Sequence, residues 1–554
     1  MNVAEAVGTT LAELGADHVF GVVGSGNFHV TNALIAAGAR FTATRHEAGA
    51  ATAADAYARV SGRAAVVTVH QGCGLTNAMT GVAEAAKSRT PMLVLAAEAT
   101  APRSNFRVDQ AALAVAVGAA TLRVRSAATA VEDAAHAWHL AVTERRTVVL
   151  NLPLDVQAAP AVPAAPPGSP ADDRPAASDS AAEAVATLLA SAARPVFIAG
   201  RGAVDAGAEL SALASACGAL LATSAAAKGL FAGDPWNLDV SGGFATPVAA
   251  ALIADADVVV AWGSSLNMWT TRHGALIGPT ARVVQIDLEE SALAAHHRVD
   301  IGIVGDAAAT ARAVLAALPS SSSAASSSSA ASAASAGYRR PEVRSRLVHE
   351  GRWRDVPYRD ESDDTHIDPR TLTIGLDDIL PADRLVAVDS GNFMGYPSMF
   401  LGVPDQRAFC FTQAFQSIGL GLASALGAAL AAPDRLPVAA CGDGGFLMAI
   451  AELETIRRLA LGMLIVVYND SAYGAEVHHF GPHGHPLSTV VFPETDLAAI
   501  ARGYGCEAVT VRHPSDLAPV AQWAAGPRNV PMLVDAKVTA TRPSWWLEEA
   551  FRGH

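Results

Sequence analysis

A chain of 554 residues, 51% of them hydrophobic and 17% charged, has the length for three or four folded units and the composition of a compact globular protein. Lys and Arg number 39 against 53 Asp and Glu, and the net charge of −14 disfavours a phosphate backbone or an anionic bilayer, so neither nucleic acid nor membrane is an expected partner. Five scattered cysteines with no C-x-x-C pair argue against a disulfide framework and a thiolate zinc site; with no Lys or Arg before Arg40, they point to a reducing, cytoplasmic setting.

In chain order, helical patterns alternate with short β-branched runs, which predicts an α/β fold of three doubly wound parallel-sheet domains in series, at 1–152, 176–318 and 340–554. The first offers strands at 64–69 and 92–96 with a helix at 77–88 between them. Residues 153–175 carry seven prolines and read as an extended connector. The second domain offers strands at 195–199, 258–262 and 283–286, and the Ser/Ala run over 319–339 reads as a flexible tether. The third offers strands at 385–388, 438–441, 464–468 and 532–535. The longest uncharged stretch, between Arg407 and Asp434, holds Thr412, Gln413, Gln416, Ser417 and Ser424, which suits a buried helix better than a lipid-facing one. Parallel sheets put ligands at the carboxyl ends of their strands.

The strand at 438–441 runs into Gly442-Asp443-Gly444-Gly445, with a helical pattern over 446–458, and 24 residues after the G-D-G a second strand ends at Asn469-Asp470-Ser471. Glycines after a strand let backbone approach a phosphate, whereas a carboxylate there repels one unless a cation lies between. Asp443 therefore implies a metal. Magnesium, with its preference for oxygen ligands shared with a phosphate cargo, fits best, and Asp470 is placed to be the second ligand. In the first domain, Arg45-His46-Glu47-Ala48-Gly49-Ala50 puts a carboxylate at a helix start.

G-D-G, 24 residues and Asn-Asp, with His46-Glu47-Ala48-Gly49-Ala50, resembles the thiamine diphosphate signature of the acetolactate synthase and pyruvate decarboxylase superfamily, with Asp470 where that pattern has a second Asn. Phe20-Gly21-Val22-Val23-Gly24-Ser25 and Gly72-Cys73-Gly74-Leu75-Thr76-Asn77 resemble its other first-domain loops, with Val23 and Cys73 in place of proline. Ala199-Gly200-Arg201-Gly202, Gln285-Ile286-Asp287 and Gly305-Asp306 match landmarks of its central domain.

The resemblance implies a cofactor of thiamine diphosphate with Mg²⁺, the metal on Asp443, Asp470 and the backbone carbonyl of Ala472. Gly442, Gly444 and Gly445 would line the diphosphate, and Ser390, Gly391 and Asn392 would hydrogen-bond it. Gln416 and Ile418 would lie where a bulky apolar residue wedges the cofactor into a V. Glu47, beside Asn77, would protonate the aminopyrimidine and so promote loss of the C2 proton. Ser25, Gln110, Glu476 and His478 are further catalytic candidates. Glu476 aligns with an acid of pyruvate decarboxylases, Ser25 stands where those enzymes keep an acid, and His478 heads a Gly/Pro-rich histidine stretch expected to be a mobile loop.

The implied reaction is decarboxylation of a 2-oxo acid and ligation to a second carbonyl compound, as in acetolactate synthases. A decarboxylase releasing an aldehyde, or an aldehyde lyase, is the alternative. Two readings of other classes are a non-catalytic nucleotide-binding protein and an FAD or nicotinamide oxidoreductase; Gly200-Arg201-Gly202 suggests the latter but falls short of G-x-G-x-x-G. Because family geometry divides the cofactor between domains, a homodimer or homotetramer with active sites between subunits is expected.

Overall fold

The computed structural model describes residues 1–168, 174–319 and 337–550. Most of the Ser/Ala stretch expected to be a tether, and Pro170 of the proline-rich connector, lie outside the described residues.

The first sheet contains β1 (His18–Gly21), β2 (Arg40–Ala43), β3 (Ala65–Val69), β4 (Met92–Glu98), β5 (Ala120–Arg123) and β6 (Thr147–Pro153), in the order β2-β1-β3-β4-β6-β5. The second contains β7 (Pro195–Ala199), β8 (Leu220–Thr223), β9 (Asn237–Val240), β10 (Val258–Trp262), β11 (Arg282–Asp287) and β12 (Ile301–Val304), in the order β12-β11-β10-β7-β8-β9. The third contains β13 (Arg384–Val388), β14 (Phe409–Phe411), β15 (Leu436–Gly442), β16 (Leu464–Asn469), β17 (Glu507–Val511) and β18 (Met532–Lys537), in the order β14-β13-β15-β16-β18-β17. The paired strands run parallel; the central strands β3, β7 and β10 are buried along their whole length, and β7 and β10 are unbroken apolar runs, as expected of parallel strands covered on both faces. The three parallel-sheet domains expected from the alternation are present, and the outer two repeat one strand order.

That repetition shapes the contact between the outer domains. Helix α1 (Glu47–Ser61) follows β2 and helix α3 (Gly421–Ala431) follows β14, and the two meet in a core drawn from both domains. Between them in sequence, α2 (Cys73–Lys87) packs on α1, where a Cβ on Gly81 would come within 2.7 Å of Ala51 Cβ. Ala-rich faces let these helices approach closely. At the tightest point a Cβ on Gly427 would overlap the Ala53 carbonyl, a backbone atom that cannot swing aside. Gly427→Ala should therefore cost about 1–3 kcal/mol, read as a lower denaturant midpoint with unchanged slope.

Three expectations shift. The connector starts later than residue 153: Pro153 ends β6, and Leu154–Ala158 form a helical turn. The start of the third segment belongs with the second domain, because Tyr338, Val343 and Leu347 are buried in its core and the Tyr338 hydroxyl donates to Leu252 O at 3.2 Å. The helical pattern over 446–458 is two helices, Asp443–Met448 and α4 (Glu452–Arg458), with a break that turns Glu452 toward the first domain. Among the described residues no helix is long and apolar enough to cross a membrane.

Candidate active site

Glu47 opens α1, whose N-cap is His46, with its ring Nδ1 accepting from Ala48 N at 3.1 Å. The Glu47 carboxylate is buried, and its Oε2 accepts from Asn77 Nδ2 at 3.0 Å, so two first-domain candidates meet directly. The glycine loop after β1 lies against the end of β3. Gly26 N donates to His70 Nδ1 at 3.2 Å, and Gly24 N donates to Asn27 Oδ1 at 2.8 Å. Ser25 is exposed at this loop's tip.

Gln110 is tied into the fold by both ends of its amide. It is buried, accepts from Gly72 N at 3.0 Å and donates to Asn151 Oδ1 at 2.8 Å. Both ends of its amide are committed to the fold, where it holds the Gly72 turn (φ +63°) and so supports the start of α2. Gln110 is a positioning residue in this geometry.

In the third domain Asp443 follows β15 and Asp470 follows β16, and parallel pairing of those strands sets the carboxylates side by side. Asp443 is nearly inaccessible and Asp470 is half-buried. Burial, then their mutual repulsion, raises Asp470 to about 7; burial chiefly raises Asp443 to about 6, and Lys537 pulls the other way. The backbone is shaped around them. A Cβ on Gly474 would collide with Asp470 Oδ2 and come within 3.2 Å of Asn392 Cβ, and one on Gly444 would come within 2.5 Å of the Tyr473 ring. Asp470 Oδ1 accepts from Ala472 N at 3.2 Å, and Ser471 takes φ +54° so that the chain can turn over the pair. The turn is tied down by Tyr473 N donating to Val490 O and Phe492 N to Ser471 O, on either side of the Ala472 carbonyl. A cavity of about 270 Å³ opens here, lined by Asp443, Gly444, Met448, Asn469, Ser471 and Tyr473.

The remaining third-domain candidates lie outside the lining of that cavity, at the ends of β13 and β15 and on the loop before α3. Asn392 is held by Ser544, whose hydroxyl donates to Asn392 O at 2.6 Å and also contacts its Oδ1. Ser390 and Gly391 (φ +139°) are half-buried at the end of β13, and Gly442 packs 3.2 Å from the Phe393 ring when a Cβ is added. Gly445 lies against Asp389, where a Cβ would meet that carboxylate. Ile418 is half-buried and outside the apolar cores, between Gln416 (φ +63°, exposed) and Gly419 (φ +89°). A large aliphatic side chain left off the core by a turn built around it is available to a ligand.

Sequence reasoning missed Asp389. This fully buried carboxylate accepts from Ser390 N at 2.8 Å and from Gly419 N and Leu420 N at 3.1 Å, tying the β13 loop to the one carrying Ile418. Burial pushes it up to about 6 despite those donors. An acid ending a strand before Ser-Gly-Asn was the available signal.

The histidine stretch begins in a helix, and His485 follows it in irregular chain. Helix α5 (Gly474–Phe480) and a turn at Gly481–His483 carry the other histidines, with Glu476 in the first turn of the helix. His478 Nε2 is buried without a hydrogen-bond partner, and burial lowers its pKa. Among the described residues no cluster of three His, Cys, Asp or Glu could hold a metal by itself. In the central domain the glycines of Gly200-Arg201-Gly202 serve packing. A Cβ on Gly202 would lie 2.8 Å from Gly263 Cα, and Arg201 Nη1 donates to Ser88 O at 2.6 Å.

The candidates thus form two groups, one at the carboxyl ends of the first sheet and one at those of the third, and among the described residues no hydrogen bond joins them. Three parallel domains in series, the outer two repeating one topology, define a multidomain α/β enzyme built around a cofactor. The particular family follows from comparison with known proteins: the chain belongs to the thiamine pyrophosphate enzymes, matching their N-terminal TPP binding domain over residues 1–130, central domain over 182–314 and C-terminal TPP binding domain over 389–536. It is 30% identical over 539 residues to the probable 2-ketoarginine decarboxylase of Pseudomonas aeruginosa (93% of this chain, 90% of that one). It is 28% identical over 541 residues to the sulfoacetaldehyde acetyltransferase of Castellaniella defragrans (95% and 90%). It is 27% identical over 549 residues to the probable acetolactate synthase large subunit of Methanocaldococcus jannaschii (93% and 88%). The family and the fold read from the motifs are both borne out, and the chain is a thiamine diphosphate enzyme of carboligase or decarboxylase type.

Proposed function

We propose that the enzyme decarboxylates a 2-oxo acid and ligates the remaining carbon unit to a second carbonyl compound, using thiamine diphosphate held through Mg²⁺. The observation that carries this reading is the Asp443–Asp470 pair, the first buried and the second half-buried, on its floor of close-approach glycines. Two carboxylates and a backbone carbonyl are a hard-oxygen donor set that suits Mg²⁺, and the metal completes its shell with phosphate oxygens. When bound, the thiamine ring supplies the electron sink that lets a 2-oxo acid lose carbon dioxide.

The chain's own groups do the rest. Asp443, Asp470 and the Ala472 carbonyl hold the cation, and Ser390 and Asn392 orient the diphosphate. Ile418 would pack against the cofactor when it is bound. Glu47, fixed by Asn77, exchanges a proton with the aminopyrimidine N1′. Because Glu47 and the diphosphate-binding group sit on different domains with no bond between them, we assign each active site to two subunits of a homodimer or homotetramer.

Ligation is favoured over simple decarboxylation by the exposed, uncharged Ser25, since an acid at that point would deliver a proton to the carbon nucleophile and release it as aldehyde. Glu476, six residues after Asp470 and in the first turn of α5, is the acid we assign to protonating it, which sustains a slow decarboxylation. Glu476→Gln should raise the ratio of ligated product to free aldehyde from a single 2-oxo acid, measured by product mass and carbon dioxide release. Aldehyde as the sole wild-type product under saturating acceptor would assign the decarboxylase reaction instead.

A separate reading concerns FAD. A cavity of about 1390 Å³ at the β7/β10 switch of the middle sheet, bordered by Gly200, Arg201 and Gly202, has the room for a dinucleotide. A visible absorbance scan of the purified protein tests it: a flavin band supports the reading and its absence removes it.

A further inference from the structure

Two buried carboxylates cross the boundary between the outer domains in opposite directions, and each ends on the backbone just before a group assigned above to the cofactor. Glu452, on α4 of the third domain, accepts at a single oxygen, Oε1, from Arg45 N at 3.0 Å and His46 N at 3.1 Å, the two residues before Glu47. Its other oxygen accepts from the Thr455 hydroxyl at 2.7 Å. A Cβ on Gly49 would strike the same carboxylate, so the H-E-x-G glycine makes room for Glu452. In the other direction Glu84, on α2 of the first domain, accepts from Ala414 N at 3.1 Å and Phe415 N at 2.6 Å, in the loop that leads to Ile418. Both carboxylates are almost wholly inaccessible.

The arrangement repeats with the strand order. Each donor helix lies beyond the third strand of its sheet, β3 or β15, and each recipient loop follows the second, β2 or β14. Guanidinium groups make the same exchange: Arg59 Nη1 donates to Phe411 O, the last residue of β14, at 2.9 Å, and Arg458 Nη2 donates to Ala43 O, the last residue of β2. Arg59 also pairs with Glu84 at 2.8 Å and with Asp55, which leaves Glu84 charged and aimed at the loop. Beyond Ile418, Asp389 takes Gly419 N and Leu420 N, so the loop is held by carboxylates on both sides of Gln416 to Ile418.

We infer that Glu84 and Glu452 are positioning residues that each outer domain lends to the other, Glu452 fixing the turn that aims Glu47 and Glu84 fixing the loop that presents Ile418. The inference rests on the roles assigned to Glu47 and Ile418 under the proposed function. A carboxylate supporting two consecutive backbone N–H groups sets the direction of the residue that follows, and an error of an ångström there is felt as rate.

The test uses the intact holoenzyme at saturating thiamine diphosphate and Mg²⁺, with hydrogen/deuterium exchange at C2 of the bound cofactor and calorimetric cofactor affinity as readouts. Glu452→Ala should slow exchange at least about tenfold at nearly unchanged affinity. Glu452→Gln should restore most of it, since one amide oxygen can accept both N–H groups while the amide nitrogen meets Thr455. Glu84→Gln, which turns an NH₂ toward one of its two N–H donors, should weaken cofactor affinity at least about threefold. Wild-type exchange in Glu452→Ala, no rescue by Gln, or unchanged affinity in Glu84→Gln would overturn the inference. Should the alanine variant not fold, Glu452→Asp, one methylene too short to reach, is read by the same criteria. Wild-type exchange in Glu47→Gln would instead indict the reading of Glu47, which keeps the two failures distinct.

Discussion

Asp443→Ala should leave a folded protein that no longer binds thiamine diphosphate measurably in the presence of Mg²⁺, a loss of more than about 100-fold in affinity. Three features make the effect large. Asp443 is buried and Asp470 half-buried, so a cation between them is poorly screened and each ligand counts heavily. The surrounding backbone is built to the pair, with Gly444 against Tyr473 and Gly474 against Asp470, so no neighbour can move in to replace a lost oxygen. Deleting one carboxylate also relieves the repulsion that holds its partner up, so folding itself should suffer little or improve. Calorimetry of cofactor with Mg²⁺, alongside the thermal midpoint of the metal-free protein, checks both halves. Unchanged affinity would remove Asp443 from the metal site, and Asp470→Ala supplies the matching measurement on β16.

The sequence carried the interior of this architecture more clearly than its margins. Fully buried strands such as Pro195–Ala199 and Val258–Trp262 are continuous apolar runs and were legible to the residue. Four-residue strands such as His18–Gly21, Arg40–Ala43 and Asn237–Val240 were not, because so short a run has no period to detect. At the site, G-D-G and the Asn-Asp pair were readable as local patterns, since strand ends and turns impose residue types over a few positions. What escaped was set by long-range packing. Glu452 meets residues more than 400 positions earlier in the chain, Glu84 meets a loop 330 positions later, and neither differs in sequence from a solvated helix acid. Ile418 looks like a core residue until the turns at Gln416 and Gly419 lift it off the core. Gln110 was named from the resemblance, and the hydrogen bonds that make it a brace for Gly72 are made with residues 38 and 41 positions away on either side. The histidine stretch looked like a loop because of Gly481, Pro482 and Gly484, whose effect begins only after α5 has closed its turns.

Glu47→Gln should bind thiamine diphosphate with nearly the wild-type affinity yet lose about 10²- to 10⁴-fold in turnover. The substitution is close to isosteric in a buried position, and the amide it introduces can keep the contact to Asn77 now made by Oε2, so the fold and the mouth of the site should persist. What the amide cannot do is exchange a proton with the aminopyrimidine, and it is that proton traffic which the buried, hydrogen-bonded carboxyl at the start of α1 is suited to carry. A kinetic loss without a binding loss separates this residue from Asp443, whose removal acts on binding first. The split is read from cofactor calorimetry together with turnover at saturating cofactor, and from hydrogen/deuterium exchange at C2 of the bound cofactor without substrate, which isolates activation from everything later in the reaction. Exchange should fall with turnover. Exchange at the wild-type rate with turnover still reduced would move Glu47 to a later step, and wild-type values of both would take it out of the active site.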